Sequence, residues 1–249
     1  MIEIILDSVT VEFPLYDMAG RSFKSHVLRF GTGGRIRGDQ RHVTITALDG
    51  VSLSLFEGDR VAIVGHNGAG KTTLLRVLAG IYEPSRGRVV TRGTVAPLFD
   101  LALGMDPDAT GLENIRLRGL LLGMNPREIA RHEDEIVAFS ELGDYIHMPI
   151  RAYSAGMRLR LAFAISTARE PEILLLDEMI GVGDARFFER AQERLNRYLT
   201  RAGIVILASH QTKVLHQICN KALLLQHGKL IGLGSIDEVL ESYASLSRG

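Results

Sequence analysis

Val61-Ala62-Ile63-Val64-Gly65-His66-Asn67-Gly68-Ala69-Gly70-Lys71-Thr72-Thr73 is the stretch on which the fold of this 249-residue chain turns. An apolar run passes into a glycine-rich loop and then into the helix-prone segment Thr73 to Ala79, and the loop fits G-x-x-x-x-G-K-[ST] at every fixed position. A short buried strand must turn tightly into a helix here, and glycines let backbone N–H groups close around an anion without Cβ clashes. The helix that follows points its positive end at the same place. Lys71 adds a point charge for β- and γ-phosphates and Thr72 a hydroxyl for Mg²⁺. Residues Gly65 to Thr73 are therefore expected to hold a nucleoside triphosphate.

Composition bounds the rest. Lys plus Arg and Asp plus Glu number 29 each, a formal net charge of zero, so the long-range field of a typical nucleic-acid binder is missing and no nucleic-acid partner is expected. A hydrophobic content of 46% is ample for one large α/β domain with a subdomain. The single Cys219 can form no internal disulfide, which fits a reducing compartment. No run approaches the eighteen or so apolar residues of a membrane span, and Met1-Ile2-Glu3-Ile4 lacks the basic start of a signal peptide, so membrane association is expected to be peripheral.

Along the chain, Ile2 to Leu6 and Val9 to Phe13 read as short strands ending at Pro14. Val43 to Leu48 and Val51 to Leu55 read as two more, joined by Asp49-Gly50 as a hairpin turn. Together these predict an antiparallel layer ahead of the first parallel strand. Between them, Gly20 to Arg41 is a basic insertion with Arg21, Lys24, Arg29, Arg35, Arg37 and Arg41 against Asp39 as the only acid. Its Phe23, Val27 and Phe30 fall at helical spacing, so the segment reads either as a short amphipathic element at a membrane face or as a solvated loop. Gly111 to Gly143 turns helical, with Leu112, Ile115, Leu120, Ile129, Ile136 and Phe139 on inner faces and a break at Asn125-Pro126. A helical subdomain spanning about residues 101 to 168 is expected inside one α/β domain. Helix (Gly156 to Ala168), strand (Ile173 to Leu176), helix (Ala185 to Leu199) and strand (Ile204 to Ala208) follow, which predicts a mostly parallel core sheet. A hairpin at His227-Gly228 and a capped helix from Ser235 close the chain.

Ile173-Leu174-Leu175-Leu176-Asp177-Glu178 is a continuous apolar run ending in two acids, as a central parallel strand facing a phosphate loop would be. Asp177 can hold the Mg²⁺ shell, and Glu178 can accept a proton from an attacking water. Alone, the run could be a capped core strand with two surface acids. Between the two signals lies Tyr153-Ser154-Ala155-Gly156-Met157, where Ser154 is a good helix N-cap and Met157, Leu161, Ala164, Ile165 and Ala168 form a stripe.

At these residues the chain resembles the ABC ATPases. Their signature L-S-G-G-Q is matched by Tyr153-Ser154-Ala155-Gly156-Met157, and the resemblance spans essentially the whole chain. It implies the ABC ATPase form of the P-loop NTPase fold, ATP and Mg²⁺ as cofactors, and a homodimer in which Ser154, Ala155 and Gly156 meet the γ-phosphate held by the other protomer. Asp184 matches the aspartate of the family's D-loop, His210 its switch histidine, and Phe13 or Tyr16 the aromatic that stacks on adenine. The glutamine of the Q-loop has no counterpart; Asp100 stands there, a carboxylate able to help bind Mg²⁺ but unable to donate as an amide does. The signature reads Y-S-A-G-M, and the segment after Asp177-Glu178 reads Met179-Ile180-Gly181-Val182-Gly183-Asp184. These variants and the long insertion resemble ATP-binding subunits of exporters for lipid-linked polysaccharide such as O-antigen, teichoic acid or galactan. The resemblance implies two copies of a transmembrane permease as partners, a place at the cytoplasmic face of the cell membrane, and cargo recognised outside this chain. Two other classes stay open: the ATPase subunit of an importer or drug exporter, and a soluble ABC ATPase acting on DNA or ribosomes. Neutral charge and the lack of a long coiled coil count against the last.

Overall fold

The computed structural model describes residues 1–15, 35–37, 43–177 and 185–246, with backbone alone for Leu15, Arg35–Arg37, Val43 and Ala185. Tyr16, Glu178, Asp184 and nearly all of the basic insertion lie outside the described residues. In chain order the strands and helices are β1 (Glu3–Leu15), β2 (Arg35–Arg37), β3 (Val43–Phe56), β4 (Arg60–Val64), α1 (Lys71–Leu78), β5 (Arg86–Arg92), β6 (Val95–Leu98), α2 (Gly111–Leu121), α3 (Pro126–Ser140), α4 (Ala155–Ser166), β7 (Ile173–Asp177), α5 (Ala185–Arg201), β8 (Ile204–Ala208), α6 (Thr212–Ile218), β9 (Lys221–Gln226), β10 (Lys229–Gly234) and α7 (Ile236–Leu246). They fall into two compact units: Met1–Gly93, Leu176–Glu178 and Gly203–Gly249 make the first, Thr94–Leu175 and Met179–Ala202 the second.

In the first unit an antiparallel sheet runs in the order β2-β3-β1-β5. The expected hairpin at Asp49-Gly50 is absent: β3 continues through it, and β1 continues through Asp7-Ser8 and past Pro14 to Leu15. Each pair of short strands is one long bulged strand, paired Leu6 with Leu53 and Phe13 with Ile45, with register shifts between. The turn-forming residues absorb the extra backbone, since Ser8 and Gly50 adopt φ of 51° and 66°. Side chains satisfy the amides this frees: Ser8 N donates to Ser52 Oγ at 2.9 Å and Gly50 N to Thr10 Oγ1 at 3.1 Å. β4 lies between β8 and β9 in parallel register, with Val61 opposite Ile206 and Lys221. Val61, Ala62 and Ile63 are fully buried, as a strand covered on both faces must be. β9 and β10 form the expected hairpin, turning at His227 and Gly228 with φ of 47° and 78°, the two positive values a type I′ turn needs. α6, seven residues long, was not expected; it buries only Leu215 and so leaves no periodic pattern to read.

In the second unit α2 and α3 each begin with a capping box, Thr110 with Glu113 and Asn125 with Glu128, and Pro126 opens α3. Ile115, Ile129, Ile136, Phe139, Phe163 and Phe187 are buried. Leu120, expected to face inward, is 52% exposed. The face turned inward instead carries Asn114, Ile115, Arg118 and Gly119, because α3 packs at Gly119 so closely that a Cβ there would stand 2.8 Å from Ile129 Cγ1. Asn114 Nδ2 donates to the carbonyls of Asp106, Ala109 and Thr110. α4 carries no narrow stripe either, as every residue from Leu161 to Ser166 is buried.

Candidate functional site

The glycine loop joins the end of β4 to α1 inside the first unit, and main chain presses on it from behind. A Cβ on Gly65 would lie 2.4 Å from Leu225 O, and one on Gly70, whose φ is 109°, would lie 2.8 Å from Ala47 O. The β9–β10 turn seals the same side, with Gly228 N donating to Ala69 O at 2.9 Å. α1 has Gly70 as its N-cap, no side-chain cap and no acid in its first turn. The first amides of a helix have no acceptor within it, so those of Lys71, Thr72 and Thr73 and the positive helix end form an anion-ready surface. The Lys71 ammonium donates to Gly65 O at 2.7 Å and His66 O at 3.1 Å, which holds a positive charge over the loop. His66 Nδ1 meets Asn67 O at 2.8 Å; a carbonyl can only accept, so Nδ1 carries the proton. The His66 ring lies 4.8 Å from that of His227 across the turn.

Thr72 Oγ1 donates to Asp177 Oδ2 at 2.9 Å, so the loop hydroxyl and the carboxylate at the end of β7 come together in this unit. Two hard oxygen donors side by side, next to an uncapped helix N-terminus, fit a hydrated Mg²⁺ carried with a phosphate. His210 follows β8 and is exposed, and Phe13 is half-buried on β1. The Phe13 ring meets Tyr82 edge to face, with centroids 5.4 Å apart and planes at 71°. Tyr82 had no expected role; its signal in the sequence is the Gly80 that ends α1 two residues earlier.

The other expected residues belong to the second unit. Asp100 is exposed at the end of the β6 segment with φ of 46°, a left-handed conformation Asp tolerates better than most residues. Ser154 N-caps α4, its Oγ accepting from Met157 N at 3.2 Å. Ser154 and Ala155 are exposed, and a Cβ on Gly156 would meet only Ser154 Oγ at 3.9 Å, so this helix N-terminus is sterically open. Burial raises the Tyr153 hydroxyl above its ordinary value, and it donates to Tyr145 O at 2.6 Å, fixing the residue before the cap.

The far end of α4 is held by two arginines that pattern alone reads as surface charges. Arg118, 3% exposed, donates to Leu103 O at 2.6 Å and to Ser166 Oγ at 2.9 Å, and desolvation lowers its pKa to about 10. Arg194 donates to Thr167 O at 3.2 Å and to Glu135 at 2.8 Å, and lies 3.7 Å above the Phe139 ring. Its pKa is lowered by desolvation, which the charge of Glu135 partly opposes.

A loop of this build beside a carboxylate-ended strand, in an α/β unit with an antiparallel layer, defines a nucleoside-triphosphate-binding cassette. The sequence profile of the family described as ABC transporter matches residues 48–181. The O-antigen export system ATP-binding protein RfbE of Yersinia enterocolitica is 44% identical over 229 residues, covering 92% of this chain and 96% of that protein. The teichoic acids export ATP-binding protein TagH of Listeria monocytogenes is 35% identical over 204 residues, covering 82% of this chain and 61% of that protein. A solved dimeric ATP-binding cassette bound to ADP and Pi superposes with a TM-score of 0.63 at 20% identity, covering 94% of this chain and 98% of its own, which shows a shared fold. The chain belongs to the ABC transporter family, and it is an ATP-binding and ATP-hydrolysing cassette of that family.

Proposed function

We propose that this chain is the ATPase subunit of an exporter that moves a lipid-linked polysaccharide across the cytoplasmic membrane. The observation that carries the reading is the 44% identity, running nearly end to end on both chains, with a protein named for O-antigen export. In this reading two copies of the chain work as a dimer, attached at the cytoplasmic face to two copies of a permease. Among the described residues no helix is long and apolar enough to cross a membrane.

In the proposed mechanism the amides of the Gly65 to Thr73 loop hold the phosphates and Lys71 neutralises charge on the β- and γ-oxygens. Thr72 and Asp177 would hold Mg²⁺, with Asp100 contributing from its turn; the ion supplies charge neutralisation of the phosphates. Glu178 accepts the proton of the attacking water, and His210 steadies the γ-phosphate. Phe13, with Tyr16 as the alternative, stacks on adenine. Ser154, Ala155 and Gly156 of the partner protomer present a capped helix N-terminus to the γ-phosphate, and Asp184 lines the same closed interface. The test is depletion in the native cell. Lipid-linked glycan should accumulate inside and return to normal export with the wild-type chain, but not with Glu178→Gln at matched level. Normal glycan export on full depletion would refute the cargo assignment, while leaving the ATPase assignment to be judged on purified protein.

A further inference from the structure

The contact between Phe13 and Tyr82 has no part in phosphate chemistry, yet the chain builds it with care. α1 ends in a Schellman motif: Ile81 N donates to Arg76 O at 2.8 Å and Gly80 N to Val77 O at 3.0 Å, with Gly80 at φ of 70°. That reversal brings Tyr82 back under Arg76, whose guanidinium lies 5.5 Å from the Tyr82 ring and donates to its hydroxyl at 3.2 Å. The next residues are tied to β1, as Ser85 N donates to Thr10 O at 2.8 Å and Glu12 N to Ser85 Oγ at 3.0 Å. Tyr82 is thereby anchored twice, to the helix that starts at the phosphate loop and to the strand that carries Phe13.

We propose that Tyr82 is a positioning residue for the nucleotide base, setting the plane of the Phe13 ring relative to the phosphate loop. The proposal rests on the reading of Phe13 as the ring that stacks on adenine. Planes at 71° mean that one ring turns its edge to the other. Whichever ring supplies the edge, at least one face of Phe13 stays uncovered by Tyr82, and its tilt is fixed. Without Tyr82, the half-buried Phe13 ring gains rotamer freedom that binding must then remove. Arg76 completes the link, so one short helix sets both the phosphate amides at its start and the base platform at its end.

Calorimetric titration of the purified full-length chain with MgATP and with magnesium tripolyphosphate separates the two ends of the site. Tyr82→Ala is expected to weaken MgATP about fivefold, the size of one edge-to-face ring contact, and to leave tripolyphosphate unchanged. KM for ATP should rise by the same factor with kcat retained. Tyr82→Phe keeps the ring but loses the hydrogen bond from Arg76, so its loss of MgATP affinity should be smaller than that of Tyr82→Ala. Parallel weakening of both ligands would overturn the proposal, because Tyr82 would then merely support α1. Unchanged MgATP affinity in folded Tyr82→Ala would also overturn it, as would a Tyr82→Phe loss equal to that of Tyr82→Ala. Phe13→Ala tests the underlying reading separately. If it weakens MgATP but not tripolyphosphate while Tyr82→Ala does neither, only the positioning role falls; if Phe13→Ala also leaves MgATP unchanged, the base platform itself is wrong.

Discussion

The N-termini of α1 and α4, which the proposed mechanism brings to the same phosphates, are held in opposite ways. α1 is fixed at its start, by main chain packed against main chain: Gly65 on Leu225, Gly70 on Ala47, and Gly228 on Ala69. α4 is fixed at its finish, where Arg118 and Arg194 donate to Ser166 and Thr167 and the Tyr198 hydroxyl donates to Thr167 O. Cations there also complement the negative end of the helix macrodipole. The first arrangement tolerates no Cβ at its contact points and makes a rigid cradle. The second leaves the Ser154 end open, and its position depends on buried polar side chains contributed by other helices.

The largest effect that could break this comparison is loss of the Lys71 charge. Lys71→Ala should lower ATP turnover by at least about a hundredfold, since a fixed charge at the phosphates acts where charge develops in the transition state. Turnover near wild type in a folded Lys71→Ala chain would show that the cradle is not the active site. Next comes a pair of matched substitutions. Gly65→Ala drives a methyl into a backbone oxygen 2.4 Å away and should destabilise the first unit by about 2–3 kcal/mol, read from chemical denaturation. Gly156→Ala, whose methyl would meet only Ser154 Oγ at 3.9 Å, should leave stability within about 0.5 kcal/mol of wild type. Equal losses would mean that the two helix starts are packed alike.

The same contrast decides what the sequence discloses. Backbone cradles are written in glycines at fixed spacing, so the loop, Thr72 and the carboxylate of Asp177 were legible, and the apolar run Ile204 to Ala208 is β8 as expected. Asp49-Gly50 misled because the left-handed backbone that makes a hairpin also makes a bulge, and only the partner strand decides which. Leu120 misled because α2 turns on a glycine contact and buries an arginine in place of a leucine. Arg118 and Arg194 could not be read as buried at all, since their partners are two carbonyls, hydroxyls and an acid scattered over three other segments. Glu178, Asp184 and Tyr16 lie outside the described residues, and their roles rest on the chain's motifs alone.

The smallest effect sharpens the comparison, because in each unit burial holds a weak acid in its neutral form far above its ordinary range. Desolvation pushes the Cys219 thiol in the first unit from 9.0 up to about 12, with Arg60 opposing in part. It pushes the Tyr198 hydroxyl in the second unit from 10.0 up to about 12, against the pull of Arg194 and Arg197. In both cases the unfolded chain loses its proton first, so between the unfolded and folded values the native state binds more protons and stability falls as pH rises. Nothing is lost below about pH 9; the decline starts there with Cys219, steepens above about 10 with Tyr198, and levels near 12. Each group contributes at most on the order of 1 kcal/mol per pH unit. Denaturation midpoints measured from pH 7.5 to 11 should therefore drop less steeply in Cys219→Ala from about pH 9, and in Tyr198→Phe only from about pH 10. Tyr198→Phe should also cost about 1 kcal/mol at every pH below about 10, because Thr167 O at the end of α4 loses one of its two donors. If that constant loss is missing, Thr167 O is held by Arg194 alone; if neither variant flattens the alkaline decline, the two acids ionise in the native state at their ordinary values and the burial argument fails for both units.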